Sequence, residues 1–347
     1  MNDLKHYEKL MAEAKTIHGV SLRQDAWRRL KKNRAAFLAM IFLATVAILS
    51  FLTPFLPLQA PRQVDTSQQM LPTQISPLFF ESLKLAGDPG TDAQRDPLEE
   101  GFGKLGPVSG LLLQARIKIF GRWSLNSLCG TDKLGRDLLS RIFWGSRFSL
   151  IVGLVATLVS LIIGVTYGAV SGYCGGRIDN LMMRLVDILY SIPTMLYVIL
   201  IMLMFGSNII SIMIGICVSS WVGMARIVRS QVMSLKQQEF AMAAQVMGAS
   251  KMRILLRHLI LNSMGPIIVT VTLMIPQAIF TEAFLSFVGV GISAPQASWG
   301  TLAQQAKQVI DTYPIQVIWP ITAICITMLA LNFVGDGLTE ALDPKKK

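Results

Sequence analysis

Six apolar stretches of near-helical span length constrain this chain more than any other feature. They lie at about residues 35–55, 149–173, 185–205, 209–225, 266–288 and 315–334. A hydrocarbon core of about 30 Å is crossed by about 20 helical residues. Inside it every backbone N–H and C=O must find its partner within the protein. Helices meet that demand, so the sequence predicts an all-α integral membrane protein with six transmembrane helices. Composition agrees, since only 15% of residues are charged, against about 25% in an ordinary soluble domain.

The net charge of +11 raises nucleic acid as a partner. The Lys and Arg residues, however, gather at the ends of the apolar stretches and form no stripe interleaved with aromatics. The expected partner is therefore a lipid bilayer, with no nucleic acid. Six spans place both termini on one side. Segments 1–34, 174–184, 225–265 and 338–347 share that side and hold twenty Lys and Arg, whereas the short loops opposite hold one, Lys307. The positive-inside rule assigns that side, with both termini, to the cytoplasm.

The same rule divides the chain. Residues 1–34 form a cytoplasmic segment too long and polar for a signal-peptide leader. Within it Ser21 and Gln24 resemble a capping box that opens an interfacial helix, with Leu22, Ala26, Trp27 and Leu30 on one face. Residues 35–58 hold the first transmembrane helix. Residues 59–145 form a polar, proline-rich insert outside the cytoplasm; its first part, Pro61–Pro107, is interrupted at Gly87-Asp-Pro-Gly90 and Gly106-Pro107 and reads as loop-rich and only partly ordered. Five more spans fill 146–336, and 337–347 is a cytoplasmic tail.

Between the fourth and fifth spans, residues 239–262 are helical in composition but too short and polar to cross a membrane. Ala241, Ala243, Ala244 and Met247 favour a helix, Gly248 breaks it, and a second helix carries Ile254, Leu255 and Leu259 beside Lys251, Arg253 and Arg257. A small alanine face fits a groove on another protein. On the residues alone the segment fits equally well an interfacial helix that closes the loop.

Other motifs narrow the choice. In order they are Gly130-Thr-Asp-x-Leu-Gly-Arg-Asp137, Gly175-Gly-Arg-Ile-Asp179, Trp221-x3-Ala-Arg-x-Val-Arg229, Ala243-Ala244-x3-Gly248 with His258-Leu259, Leu285-Ser-Phe-x-Gly289, Ser298-Trp-Gly300, and Asp336-Gly-Leu338 with Asp343-Pro344. Together they resemble the permeases of bacterial ABC importers, in the dipeptide/oligopeptide/nickel family, and within it the oligopeptide C-subunit branch. The resemblance implies a type I importer permease fold in the bacterial inner membrane. It implies oligopeptide transport, with dipeptide, nickel or murein-peptide import as alternatives. Its implied partners are a second homologous permease subunit, two ATPase subunits, a periplasmic peptide-binding protein and the peptide itself. Residues 239–262 then become the coupling loop, with Glu239, Ala243, Ala244, Gly248, Arg257 and His258 at the ATPase contact. The chain departs from the pattern at Met242, where Glu is usual, and at Leu261, where Pro is common.

No GxxxxGK[ST] loop, nucleophile–base pair or His/Cys cluster is present, so no enzyme activity, cofactor or metal is expected. ATP would be hydrolysed on other chains. An ion-driven secondary transporter would show inverted repeats and paired broken helices with midplane acids, which the sequence lacks. Glu282, in the fifth span, must face a cavity or a partner helix. With Pro193 and Pro276, which can bend their helices, it is a candidate for the translocation path; the competing reading is a hydrogen bond to another span. Asp187 is placed to pair with Arg184 along its helix. Gly164, Gly168 and Gly172 stack on one helix face and allow close helix packing. Asp132, Arg136 and Asp137 read as a local polar network.

Overall fold

The structure is a computed structural model and describes residues 22–84, 96–292 and 295–342. The expected cap at Ser21, the break at residues 87–90 and the Asp343-Pro344 end lie outside the described residues.

The described residues are mostly helical, with one short two-stranded ribbon. Helix α1 (Leu22–Lys32) leads into α2 (Arg34–Leu52) across Asn33. The Asn33 side chain accepts from the Ala36 N–H at 3.2 Å, restarting the helix as an N-cap, and its amide donates to Glu340 near the C-terminus at 3.2 Å. Leu30 packs with Ala36 and Ala341, so both ends of the described chain meet at one end of the bundle.

Helix α5 (Leu138–Cys174) is the longest element, and α8 (Ile209–Lys236), α11 (Met264–Val288) and α13 (Ile315–Leu342) pack around it. With α2, these are, among the described residues, the five helices long and apolar enough to cross a membrane. The remaining predicted span, at about residues 185–205, is not straight. It is split into α6 (Gly176–Ser191) and α7 (Thr194–Phe205), which meet at 80°. Pro193 offers no N–H and excludes helical geometry from the residue before it, and Ile192 sits accordingly in extended conformation at φ −91°, ψ 122°.

The described part of the insert holds regular elements beside its loops. Helices α3 (Pro97–Phe102) and α4 (Pro107–Phe120) and the antiparallel strands β1 (Phe79–Glu81) and β2 (Trp123–Leu125) enclose a small core of Ala60, Leu83, Phe102 and Leu113. The Gly106-Pro107 pair, which reads as a break, is a helix start: Gly106 caps α4 and Pro107 occupies its first turn. Arg116 of α4 is fully buried, donating to the Leu58 carbonyl at 2.7 Å and to Ser124 Oγ at 2.8 Å, with its guanidinium over Phe102. Without a carboxylate partner, burial pulls its pKa down to about 10.

The bundle therefore has two unlike ends. One gathers α1, the α5–α6 junction, residues 237–263 and the end of α13, which are the Lys/Arg-rich segments. The other carries the insert and α12 (Trp299–Lys307), tied down by Trp299 Nε1 to the Ile142 carbonyl and Gln316 Nε2 to the Thr131 carbonyl.

Candidate functional site

Residues 239–262 form α9 (Glu239–Val246), a glycine turn, and α10 (Lys251–Arg253), which continues as π-helix over Ile254–Ile260. The glycine does more than break the helix. Gly248 has φ +82°, its N–H donates to the Gln245 carbonyl, and the next N–H, of Ala249, donates to the Ala244 carbonyl. That pair of bonds is a Schellman cap, which needs a left-handed residue at this position. A Cβ on Gly248 would meet nothing within 4 Å, so the demand is one of backbone conformation and not of space.

The loop has an inner and an outer face. Ala241, Ala244, Ile254, Leu255 and Leu259 are buried against Met224, Val228 and Val232 of α8. Ala244, expected at a partner contact, is 2% exposed and belongs to this core. Ala243 lies on the outer face with Glu239, Gly248 and Arg257, and His258 is half-buried. The outer face also carries side chains that sequence reasoning did not assign: Met242, Val246 at 87% exposure and Met247 at 81%. Met242 and Val246 are one helical turn apart, the spacing that could have revealed a joint apolar patch.

Behind the loop, the glycines seat α5 on α8. A Cβ at Gly164 would lie 2.6 Å from Met224 Cβ, one at Gly168 2.3 Å from the Ala225 carbonyl oxygen, and one at Gly172 2.6 Å from that of Arg229. At the end of this seam two sequence motifs meet. Arg229 donates to both carboxylate oxygens of Asp179, at 2.5 and 2.6 Å, and Ser171 donates to the same group. The α6 end is thereby clamped to the helix that feeds the loop. Asp187 does not pair with Arg184; its partner is Arg226, at 2.6 Å, which also lies over Tyr190.

A cavity of about 350 Å³ opens between α6–α7, α8 and α11. Pro193, Thr194, Ser219, Ser220, Gln277 and Thr281 contribute to its wall, which contains no charged side chain. The 80° bend at Pro193 is what opens this space. Glu282 and Pro276 are absent from the wall. Glu282 is completely buried and accepts from Ser149 Oγ at 3.1 Å and Ser286 Oγ at 2.8 Å. Glu282 thus makes a bond between spans, the competing reading of its position, and Pro276 is buried within α11.

At the opposite end, Asp132 accepts from Arg136 Nε at 2.8 Å and Arg141 Nη1 at 2.5 Å, and from the Leu134 and Arg136 N–H groups. Gln305 of α12 joins through Arg141 at 2.9 Å. Burial raises the Asp132 pKa, but Arg141 and Arg136 outweigh it and hold the carboxyl below the usual range. Asp137 caps α5 through the Ser140 N–H at 2.8 Å, and burial pushes its pKa up to about 7. Gly135 (φ +71°) closes the turn where a Cβ would fall 1.7 Å from the Asp65 carbonyl oxygen.

With helices, cavity and loop in place, comparison with known proteins assigns the class. The chain belongs to the family described as binding-protein-dependent transport system inner membrane component, which matches residues 164–347. The fold is that of a type I ABC importer permease: the inward-facing MetNI methionine ABC transporter aligns with a TM-score of 0.51 at 18% identity, covering 59% of this chain and 98% of that one. More particularly, the N-terminal TM domain of oligopeptide transport permease C matches residues 21–73. The oligopeptide transport system permease protein OppC of Bacillus subtilis is 49% identical over 62% of this chain and 71% of its own length. OppC of Haemophilus influenzae is 38% identical over 96% and 92%. The dipeptide transport system permease protein DppC of Bacillus subtilis is 39% identical over 94% and 87%.

Proposed function

We propose that this chain is one permease subunit of an ATP-driven importer that carries oligopeptides across a bacterial inner membrane. The observation that carries the reading is the outer face of α9. A capped helix presents Met242, Val246 and Met247 on the open surface at the Lys/Arg-rich end of the bundle. Exposed apolar side chains grouped on a rigid element are what a protein partner buries. Two cytoplasmic ATPases, one on this loop and one on a second homologous permease, supply the motion. Here the contact is apolar, because Met242 stands where the family pattern has Glu.

Closure of the ATPases pushes α9–α10, and the π-helical stretch passes the push directly into α11. The Asp179–Arg229 clamp couples α8 to α6, so the cavity wall at Pro193 moves with the loop. A neutral wall that sets hydroxyl and amide groups among apolar side chains can bind a peptide backbone without selecting charged side chains. Specificity then rests with a periplasmic peptide-binding protein, and no cofactor is held by this chain. Both termini and the loop are cytoplasmic in this arrangement.

The test is Val246→Asp combined with Met247→Asp in the assembled transporter. We expect normal membrane insertion, with ATPase co-purification and labelled tetrapeptide uptake reduced at least about tenfold, the scale of losing central apolar contacts. Wild-type uptake by this variant would refute the docking face. The DppC relative favours dipeptides as a second reading, and competition of tetrapeptide uptake by di-, tri- and pentapeptides separates the two.

A further inference from the structure

A second cavity, of about 240 Å³, lies at the other end of the molecule between the insert and the first turns of α5. Arg62, Lys104, Arg141 and Arg147 line it with Trp144 and Phe102, and no carboxylate does. Arg141 is 2% exposed, and although its Nη1 is bound to Asp132 and Gln305, its Nη2 has no partner. The indole N–H of Trp144 is also buried and unpartnered. Arg147 lies over the Trp144 ring and donates to Ser109 at 2.9 Å. The Arg62 guanidinium is laid against Gly103, where a Cβ would fall 2.3 Å from its Cζ. Among the described residues neither Arg62 nor Lys104 has an ion-pair partner.

Buried donors without acceptors are costly, and several cations around one cavity repel each other unless an anion sits between them. Behind Phe102, buried Arg116 adds to the positive potential. Helix α4 also starts at this rim with no side-chain cap on its free N–H groups. We infer that this cavity binds a phosphate-type anion, through Arg62, Lys104, Arg141, Arg147 and the Trp144 indole.

The depth of the site favours a phospholipid headgroup over soluble phosphate. The 37 residues of α5 extend about 55 Å, so roughly 25 Å of the helix overhangs the hydrocarbon core. Residues 141–148 then lie at headgroup level on the outer side, where Trp is at home. From the cavity rim at Phe148 and Ile151, exposed Leu154, Leu158 and Ile162 continue down the same helix face, a track suited to an acyl chain.

The experiment is native mass spectrometry of the full-length chain with phosphatidylglycerol or phosphatidylcholine added, alongside thermal-shift titration with inorganic phosphate in detergent. The variant is Arg62→Gln with Lys104→Gln, whose lack of ion-pair partners keeps the fold intact, as its unfolding midpoint checks. We expect phosphatidylglycerol to be retained over phosphatidylcholine, and about tenfold more weakly by the variant, the scale of a lost charge-assisted contact. Retention that resists excess phosphate assigns the lipid. A thermal shift on phosphate alone, lost in the variant, assigns the soluble ion. Equal retention of both lipids with no phosphate response overturns the inference, as does unchanged retention by the variant.

Discussion

The two ends of this bundle handle polar and apolar groups in opposite ways. Around residues 130–141, charges are buried and matched: Asp132 serves two arginines and two backbone N–H groups, and Gln305 ties them to α12. Around residues 239–262, charges are exposed and an apolar face is left uncovered. The first end partners the Asp132 carboxylate entirely within its own chain. The second has a finished backbone, with a Schellman cap and a π-helical return, but an unfinished surface. A chain that gives its buried carboxylate several donors at one end and leaves an apolar face open at the other shows where a protein partner is needed.

The sharpest way to break this contrast is to unbalance the closed end. Asp132→Asn leaves Arg136 and Arg141 buried without a counter-charge. Removing one member of such a network costs about 3–5 kcal/mol, so the folded yield and the thermal midpoint should both fall steeply. Conversely, because the Asp132 pKa is lowered on folding, its contribution is present above the ordinary carboxylate value and is lost as pH falls through the folded value. A midpoint that does not change in the variant would show the network to be dispensable.

Asp137, next to it, has the opposite sign. Its folded pKa of about 7 lies above the unfolded value. Between the two the unfolded chain binds fewer protons, so this group lowers stability as pH rises from about 4 to 7. Asp137→Asn keeps a capping oxygen and removes the titration. Near pH 4 the variant should match the wild type, and it should gain on it toward pH 7. A constant difference in unfolding midpoint across that range would rule out burial as the cause.

Much of this was legible in sequence, because period and length are physical constraints on a membrane helix. Five spans follow directly from apolar length, and the glycine spacing at 164, 168 and 172 gave the seam. What stayed hidden depended on contacts between distant segments. Arg229 and Asp179 belong to two motifs readable separately, but only the fold pairs them across 50 positions. Asp187 had a plausible helical neighbour in Arg184, yet α8 brought Arg226 closer. Glu282 was correctly seen as too costly for lipid, while its burial beside Ser149 required knowing how α5 and α11 cross. Helix α4 was missed because its apolar residues surround it and Gly106-Pro107 reads as a break when it is a start.

The smallest expected effect makes the finest test, since it separates neighbours on one helix. Ala243 and Ala244 are identical in type and adjacent, and the motif treats them as a pair. In the fold Ala244 is packed under α8 and Ala243 points outward. Ala244→Leu overfills a closed core and should cost about 1–3 kcal/mol, lowering the unfolding midpoint. Ala243→Leu meets open space and should change stability by no more than about 0.5 kcal/mol. In the assembled transporter the ranking of direct effects reverses, because a leucine at 243 holds a partner's groove away from Met242 and Val246. Loss of ATPase co-purification with an unchanged midpoint is the expected signature of Ala243→Leu. Equal stability losses for the two variants would place both alanines in the core and leave the outer face to Met242, Val246 and Met247 alone.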